Sequence, residues 1–379
     1  LAHENVDEIG RRFPKLLRRV MGYNLDDFTG DAPMNLTRIA VGSEGTLAIL
    51  TKVVVRLLKQ PEAVKTLLAV FKELDQASAA VSGIIGAGIV PAALEMMDDL
   101  CIEAVEPAVH AGYSSSAGAV LLIEIDGLKE AVEEESSEIE RICETYEPIE
   151  IRTAVDSAER ERLWAGRKGV LGALGRLAPN YYLVDGTIPR TKLIEVLTKI
   201  TDISDKFDLP IANLLHAGDG NLHPSILFDE RKPGETERAL EAGGEILKLC
   251  VDSGGVLSGE HGIGLEKQEY MPLMFTEGDM EAMARLLQAF DTNGRLNPGK
   301  IFPTGSAQTL IRHGAAVAKT GITDIVCGGG VFMNVKANML IAQLPEVTSM
   351  YVMPSAADES LSIGACLHRY YEASGEIDH

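Results

Sequence analysis

Residues 117–126 read AGAVLLIEID, and this strongly apolar run decides how the middle of the chain is interpreted. A short apolar run rich in β-branched residues predicts a buried strand. It is followed by an acidic amphipathic pattern at Leu128–Tyr146, which predicts a helix, and by a short strand at Pro148–Thr153. Strand, helix and strand therefore follow one another closely here.

The same alternation extends toward the N-terminus. The preceding residues predict a strand, a helix, a second strand and a second helix at Val64–Phe71, Glu73–Ile85, Val90–Met97 and Leu100–Val109. This order is typical of a ferredoxin-like antiparallel sheet with its helices on one face. We therefore predict an α+β fold.

Similar patterns cover the rest of the chain. Further helices are predicted at Val6–Val20, Asp156–Leu174, Thr191–Phe207, Glu235–Val251 and Gly278–Phe290, and one from Gln308. Further strands are predicted at Leu47–Leu58, Tyr181–Ile188, Ile211–Leu215, Ser225–Phe228, Gly255–Ser258, Asp324–Cys327 and Met350–Met353. We divide the chain into residues 1–60, 61–305 and 306–379.

Composition excludes several classes of function. Lys and Arg number 35 against 56 Asp and Glu, so a net charge of −21 provides no overall field for nucleic acid or an anionic membrane. No run of 18 apolar residues exists, so we predict no transmembrane segment. The five cysteines are odd in number and lack CxxC spacing, which favours a reducing, cytoplasmic setting.

The sharpest chemical signal is His216-Ala-Gly-Asp-Gly-Asn-Leu-His223, followed 37 residues later by Glu260-His261. The turn glycines allow tight backbone conformations that direct flanking side chains inward. Two imidazoles beside a carboxylate suit Zn, Mn or Fe(II), and an adjacent histidine suits a base near neutral pH. The alternative is an ordinary Gly/Asp/Asn turn with structural histidines.

Several motifs around this signal share one resemblance. They are Trp164-Ala-Gly-Arg-Lys168, Ala178-Pro-Asn-Tyr-Tyr182, Asp185-Gly-Thr-Ile-Pro189, Ser258-Gly-Glu-His-Gly-Ile-Gly264 and Leu296-Asn-Pro-Gly-Lys300. With the histidine turn, they resemble the flavoprotein subunit of glycolate oxidase and the FAD-linked D-lactate dehydrogenases. Residues 1–60 resemble the end of the FAD domain in the same superfamily, that of vanillyl-alcohol oxidase and p-cresol methylhydroxylase. Residues 61–305 would then be the substrate and cap domain.

The resemblance implies particular roles for individual residues. A divalent metal would be held by His216, His223 and Glu260, and His261 would take the hydroxyl proton while the C2 hydride moves to the flavin. Arg167 would clamp the substrate carboxylate, a bidentate task that suits a guanidinium. Otherwise Arg167 is a helix-surface ion pair.

The resemblance also implies the contacts to FAD. Gly22-Tyr23 and Gly42-Ser43-Glu44-Gly45-Thr46 would lie along the flavin, and Asn297 would approach its ring. Taken alone, the second motif could be any turn entering a strand, and Asn297 could serve only its own turn. Family members carry an earlier FAD-binding half, and the chain begins at Leu1 within an amphipathic pattern. We therefore expect an N-terminally truncated chain.

The tail carries a different resemblance. Gly328-Gly-Gly-Val-Phe-Met-Asn334, Val335-Lys-Ala-Asn338 and Ala357-Asp358 resemble the nucleotide-fold half of carbamoyltransferases. We expect residues 306–379 to be a small α/β fragment that is dispensable for turnover. A glycine turn packing a strand against a helix explains the same residues without a nucleotide.

The leading functional hypothesis is FAD-dependent oxidation of a small D-2-hydroxy acid, glycolate or D-lactate, to the 2-oxo acid. Three alternatives stay open: a longer acid such as D-2-hydroxyglutarate, a non-catalytic assembly subunit, and a nucleotide-binding carbamoyltransferase-like protein. An electron acceptor or partner redox subunits would complete the reaction. Such partners could also hold the protein at the inner membrane.

Overall fold

The computed structural model describes residues 2, 5–16, 18–30 and 35–303, together with the backbone of two strands in the tail. The helices are α1 (Val6–Arg12), α2 (Thr37–Ala40), α3 (Leu74–Gly86), α4 (Asp99–Val109), α5 (Lys129–Glu144), α6 (Ser157–Ala173), α7 (Leu193–Phe207), α8 (Glu235–Asp252) and α9 (Glu277–Phe290). The strands are β1 (Ala63–Phe71), β2 (Ala93–Asp98), β3 (Ala119–Gly127), β4 (Glu150–Thr153), β5 (Asn180–Leu183), β6 (Gly186–Thr187), β7 (Ile211–His216), β8 (Asn221–Phe228), β9 (Asp324–Cys327) and β10 (Ser349–Val352).

One antiparallel sheet organises residues 63–228. Its strands lie in the order β4-β1-β3-β2-β7-β8-β5, and β6 pairs with β8. Strands β1 to β4, with α3 and α5 as their connecting helices, form the predicted ferredoxin-like unit. The α+β antiparallel fold predicted from the sequence is confirmed.

Helices cover both faces of this sheet, which differs from the prediction of one covered face. One face packs on α3, α5, α7 and α8, and the other on α4 and α6. Successive side chains of a strand point to opposite faces, and the central strands are apolar at nearly every position. Both faces must therefore be shielded from water. The helix between β2 and β3, at Asp99–Val109, provides part of the second layer.

The N-terminal region departs from the prediction in two places. The helix predicted at Val6–Val20 ends at Arg12, because Phe13 precedes Pro14 and adopts an extended conformation. The strand predicted at Leu47–Leu58 does not form among the described residues, and residues 48–61 have neither helix nor strand. Apolar β-branched residues favour a strand only when a neighbouring strand satisfies the backbone, and none of the described strands pairs with this segment.

Most of the predicted elements between residues 156 and 290 form, with shifted boundaries. Strand β8 begins at Asn221, so His223 lies within a strand and only residues 217–220 make the turn. Residues 255–258 form no strand, and Val256 makes a single bridge to Thr187. In the tail, β9 and β10 pair in parallel. The predicted helix from Gln308 and the glycine motif at 328–334 lie outside the described residues.

Candidate active site

The hairpin between β7 and β8 places the two histidines of the motif side by side. Leu214 lies opposite His223 across the ladder, and His216 is two residues beyond Leu214, so both imidazoles project from the same face. Their ring centroids are 5.2 Å apart. Gly220 closes the turn with a φ of +80°, and a Cβ there would lie 2.2 Å from the carbonyl oxygen of Ile188. Only glycine fits at that position.

Glu260 meets both imidazoles. Its Oε1 lies 2.9 Å from Nε2 of His223 and 3.4 Å from Nε2 of His216. The hydrogen bonds that the histidines donate to Glu260 hold its pKa well below its usual range, and the hydrogen bonds that His216 donates to Glu260 and Glu95 raise the pKa of His216 to about 9. One ligand atom from each of His216, His223 and Glu260 lies within 4.8 Å of the others. Two nitrogens and one oxygen facing a common point fit Zn, Mn or Fe(II).

His261, the predicted base, stacks on His223 with the ring centroids 5.1 Å apart and the planes 22° from parallel. Partial burial of the ring lowers the pKa of His261, which favours the neutral imidazole that can accept a proton. It also approaches Asp185, because one ligand atom from each of Asp185, His223 and His261 falls within 4.8 Å of the others. The predicted base therefore adjoins the predicted metal ligands.

Asp185 shapes the loop that carries Glu260 and His261, a role that the sequence analysis did not assign. It accepts hydrogen bonds from Ser258 Oγ at 2.5 Å and from the backbone N–H of His261 at 3.0 Å. Lys267 lies 3.1 Å away and compensates its charge. Burial opposes ionisation of Asp185, but Lys267, His261 and these hydrogen bonds lower its pKa to about 2. The ionised carboxylate of Asp185 therefore holds the backbone of residues 258–261 in place.

Arg167 lies beneath the site, on α6. Its Nε donates to Glu95 Oε2 at 3.0 Å, and its Nη2 lies 2.7 Å from the same oxygen. The other oxygen of Glu95 is 2.9 Å from Nδ1 of His216. Burial raises the pKa of Glu95, but His216 and Arg167 outweigh burial and lower it. Arg167 is therefore a buried, paired cation next to a predicted metal ligand, rather than a helix-surface ion pair.

A second arginine that the sequence analysis did not single out lies at the exposed side of the cluster. Arg18 places Nη1 2.5 Å from Oε2 of Glu260 and Nε 2.5 Å from Oδ2 of Asp219. The backbone of Val20 donates to the carbonyl of Ser258 at 2.9 Å. The N-terminal segment is thereby joined to the loop of the site. In the sequence, Arg18 was only one of several arginines assigned to a helix.

The residues predicted to contact FAD form a connected group. Tyr23 and Thr46 share a hydrogen bond of 2.7 Å between their hydroxyls, and the Asn297 amide donates to the carbonyl of Glu44 at 2.6 Å. The Glu44 carboxylate accepts from the backbone N–H groups of Ile263 and Gly264. The group therefore borders the loop that carries His261.

The glycines of the FAD group have two different surroundings. Gly42 and Gly45 have φ values of +76° and +71°, and no atom lies closer than 3.7 Å to a Cβ placed at either. At these distances an added Cβ would make only ordinary van der Waals contacts, so the left-handed backbone, rather than crowding, favours glycine at both positions. Gly22, by contrast, packs against Met283 of α9.

The residues of this fold and site match a known family. Residues 60–301 match the family described as FAD linked oxidases, C-terminal domain. The chain belongs to this family. The resemblance inferred from the sequence motifs is therefore confirmed, and the antiparallel sheet with its histidine hairpin lies within the matched part of the FAD linked oxidases.

Several proteins are similar to this FAD linked oxidase chain. The glycolate oxidase subunit GlcD of Escherichia coli is 48% identical over 275 residues, which are 72% of this chain and 55% of GlcD. GlcD of Bacillus subtilis is 40% identical over 80% of this chain and 62% of its own length. A D-lactate dehydrogenase of Archaeoglobus fulgidus is 30% identical over 70% of this chain and 58% of its own length. The chain thus spans a little more than half the length of these relatives.

Solved structures share the fold. The structure of p-cresol methylhydroxylase with substrate bound has a TM-score of 0.50 to this chain, with 14% sequence identity. The similarity covers 65% of this chain and 54% of that one. In the part of the chain that the structure describes, none of the helices has the length and apolar character needed to cross a membrane.

Proposed function

We propose that the protein containing this chain uses FAD to oxidise a small D-2-hydroxy acid, such as glycolate or D-lactate, to the 2-oxo acid. The observation that carries the proposal is the convergence of His216, His223 and Glu260 beside His261, whose ring stacks on that of His223. The similarity to GlcD and to D-lactate dehydrogenase supports this substrate class.

In this mechanism His216, His223 and Glu260 would hold a divalent metal. When bound, the metal would polarise the substrate hydroxyl and lower its pKa. As a ligand of that metal, Glu260 would not be free to take the hydroxyl proton. The neighbouring His261 remains available as the base.

His261 takes the hydroxyl proton as the C2 hydride leaves. Partial burial lowers its pKa and favours the neutral form, and its ring stacks on that of His223. When bound, FAD supplies the hydride acceptor. We propose that Gly22-Tyr23, residues 42–46 and Asn297 hold the flavin, because most of them form one connected group that joins the His261 loop through Glu44.

We propose that Arg167 recognises the substrate carboxylate. Its guanidinium shares Glu95 with His216, so the cation and the metal ligand lie on either side of one carboxylate. A 2-hydroxy acid carries its hydroxyl and carboxylate on adjacent carbons, which matches a metal and a cation held close together. Burial strengthens such a contact because water competes less for the guanidinium.

We also propose a domain division, a route for flavin reoxidation and a cellular location. The division into residues 1–60, 61–305 and 306–379 stands as our domain hypothesis. An external electron acceptor or partner redox subunits would reoxidise the flavin, as the word subunit in the GlcD name suggests. Cys101, Cys143 and Cys250 are free thiols, which supports a reducing, cytoplasmic location.

Anaerobic stopped-flow reduction of the FAD-loaded protein tests the proposal. Glycolate or D-lactate should bleach the flavin absorbance faster than D-2-hydroxyglutarate. Preference for the longer acid would keep the chemistry and change the substrate. A flavin that stays oxidised with all three acids would contradict the proposed reaction and favour a non-catalytic role.

A further inference from the structure

Glu95 lies between the two parts of the proposed substrate site. It stands on β2 directly opposite His216 of β7 in the antiparallel ladder, and its side chain is 10% exposed. Oε1 lies 2.9 Å from His216 Nδ1, while Oε2 accepts from Arg167. We propose that Glu95 is a positioning residue that aims Nε2 of His216 at the metal and holds Arg167 at a fixed distance from it. The inference rests on the metal site and the Arg167 role proposed above.

Glu95 sets which nitrogen of His216 is free to bind a metal. An imidazole that binds a metal is neutral, with one N–H donor and one nitrogen lone pair. Glu95 can only accept at Nδ1, so the lone pair of His216 is left on Nε2, the atom that lies 3.4 Å from Glu260. A carboxylate on the outer nitrogen of a metal-binding histidine fixes both its tautomer and its ring orientation.

Arg167 depends on the same carboxylate. A buried guanidinium needs a compensating charge, and Arg167 donates from Nε to Oε2 of Glu95 while its Nη2 lies 2.7 Å from that oxygen. One carboxylate therefore divides its two oxygens between the imidazole and the guanidinium. Because β2 and β7 are paired at this point, the sheet fixes Glu95 beside His216, and Arg167 reaches the same carboxylate from α6.

Substitution of Glu95 by glutamine would break this division. A glutamine at position 95 has one oxygen and one amide nitrogen, so it cannot offer a separate acceptor atom to each of His216 and Arg167. The amide nitrogen is itself a hydrogen-bond donor, and it would face the N–H group of either His216 or Arg167. Glutamine has nearly the same size as glutamate, so the packing at position 95 is kept. Any loss of metal binding would then reflect the changed positions of His216 and Arg167.

Cobalt is the probe. Co²⁺ binding to the purified protein is followed by its visible absorption and by calorimetry, for the wild type, Glu95→Gln, Glu95→Asp and His216→Ala. We expect Glu95→Gln to weaken Co²⁺ binding by about 10–100-fold, with partial recovery in Glu95→Asp, which keeps the charge. In the FAD-loaded protein, Glu95→Gln should also raise KM for glycolate.

The matched control is Glu124→Gln. Glu124 lies on the adjacent strand β3, receives two hydrogen bonds of 2.8 Å from Arg160 and one from Trp164, and touches no proposed metal ligand. Its substitution should leave Co²⁺ affinity within about threefold of the wild type, below the range expected for loss of a metal-orienting carboxylate. Circular dichroism confirms that each variant is folded.

The outcomes separate the two proposals. Unchanged Co²⁺ affinity in folded Glu95→Gln would overturn the positioning role. If the wild type and His216→Ala bound Co²⁺ equally weakly, the metal site itself would fall, and the role of Glu95 with it. If Glu95→Gln lost Co²⁺ affinity but the wild-type flavin resisted every hydroxy acid, the positioning role would stand and the proposed reaction would fail.

Discussion

The carboxylate of Asp185 and the ammonium of Lys267 form an ion pair at 3.1 Å that is almost wholly buried, with side-chain exposures of 0% and 3%. Lys267 also donates to the Asp185 backbone carbonyl at 2.7 Å. The carboxylate in turn orders the loop that bears Glu260 and His261. The geometry of the site therefore depends on a pair of charges that water hardly reaches.

Lys267→Met should destabilise the fold, because it leaves Asp185 buried without its cation. We expect a loss of about 3–5 kcal/mol in the free energy of unfolding, measured by urea denaturation. The control is Lys248→Met, which removes an exposed pair with Asp252 and should cost about 0.5 kcal/mol. Equal losses in the two variants would show that the buried pair has no special role.

His261→Ala should slow the chemical step while FAD stays bound. Loss of a positioned base costs about 10²–10⁴-fold, so reduction of the flavin by glycolate should fall in that range. The control is His110→Ala, an exposed histidine at the end of α4. Near-normal reduction in His261→Ala would remove His261 as the base and reassign it to supporting the metal ligands.

Arg167→Ala should weaken substrate binding more than it slows hydride transfer. The guanidinium is proposed to contact the carboxylate both before and during the reaction, so KM should rise while the limiting rate of flavin reduction changes less. A plot of reduction rate against glycolate concentration separates the two effects. Lys168→Ala is the control, since its ammonium lies over the Trp164 ring. A loss confined to the limiting rate would contradict the clamp.

Gly220→Ala should disrupt the histidine hairpin. Gly294→Ala is the control, because its φ of +61° is also left-handed but its Cβ would meet open space. The control should lose about 1–2 kcal/mol from backbone strain alone. Gly220→Ala should lose about 1–3 kcal/mol more, because its Cβ would press on the carbonyl of Ile188. Thermal unfolding of both variants measures the difference, and equal losses would show that the turn can relax.

Asp98 should make stability depend on pH. Burial raises its pKa from 3.8 to about 6, despite hydrogen bonds from Cys101 and Asn213. The folded state then binds a proton more tightly than the unfolded chain, so the free energy of unfolding falls as pH rises from about 4 to about 6, by up to about 3 kcal/mol. Urea unfolding across this range should show the slope in the wild type and lose it in Asp98→Asn. The exposed Asp126→Asn is the control, and a slope that persists in Asp98→Asn would assign it to other groups.

Much of the sheet and the histidine hairpin could be predicted from the sequence because they depend on residues that are close together in the chain. The apolar strands near residue 120 and the glycine turn between His216 and His223 are local features that neighbouring residues determine. Their patterns can be interpreted without the rest of the chain. The convergence of Glu260 on those histidines required the motif resemblance, because 37 residues separate it from His223.

The residues that the sequence missed act across long distances in the chain. Glu95 meets His216, and Asp185 meets the 258–261 loop, only after β2, β7 and β8 have paired. No local pattern marks a carboxylate as a partner of a distant imidazole. The predicted strand at 47–58 failed for the converse reason: its composition favours a strand, but pairing depends on a neighbouring strand.

Glu44 connects the proposed FAD contacts to the loop that carries His261. Its carboxylate holds the backbone of Ile263 and Gly264, while its own carbonyl receives the amide of Asn297. A molecule that immobilises the 42–46 turn would therefore also restrain the loop that carries His261. Coupling between two binding sites is reciprocal. A ligand bound at the histidine cluster would therefore raise the affinity of the 42–46 turn for its own ligand by the same factor.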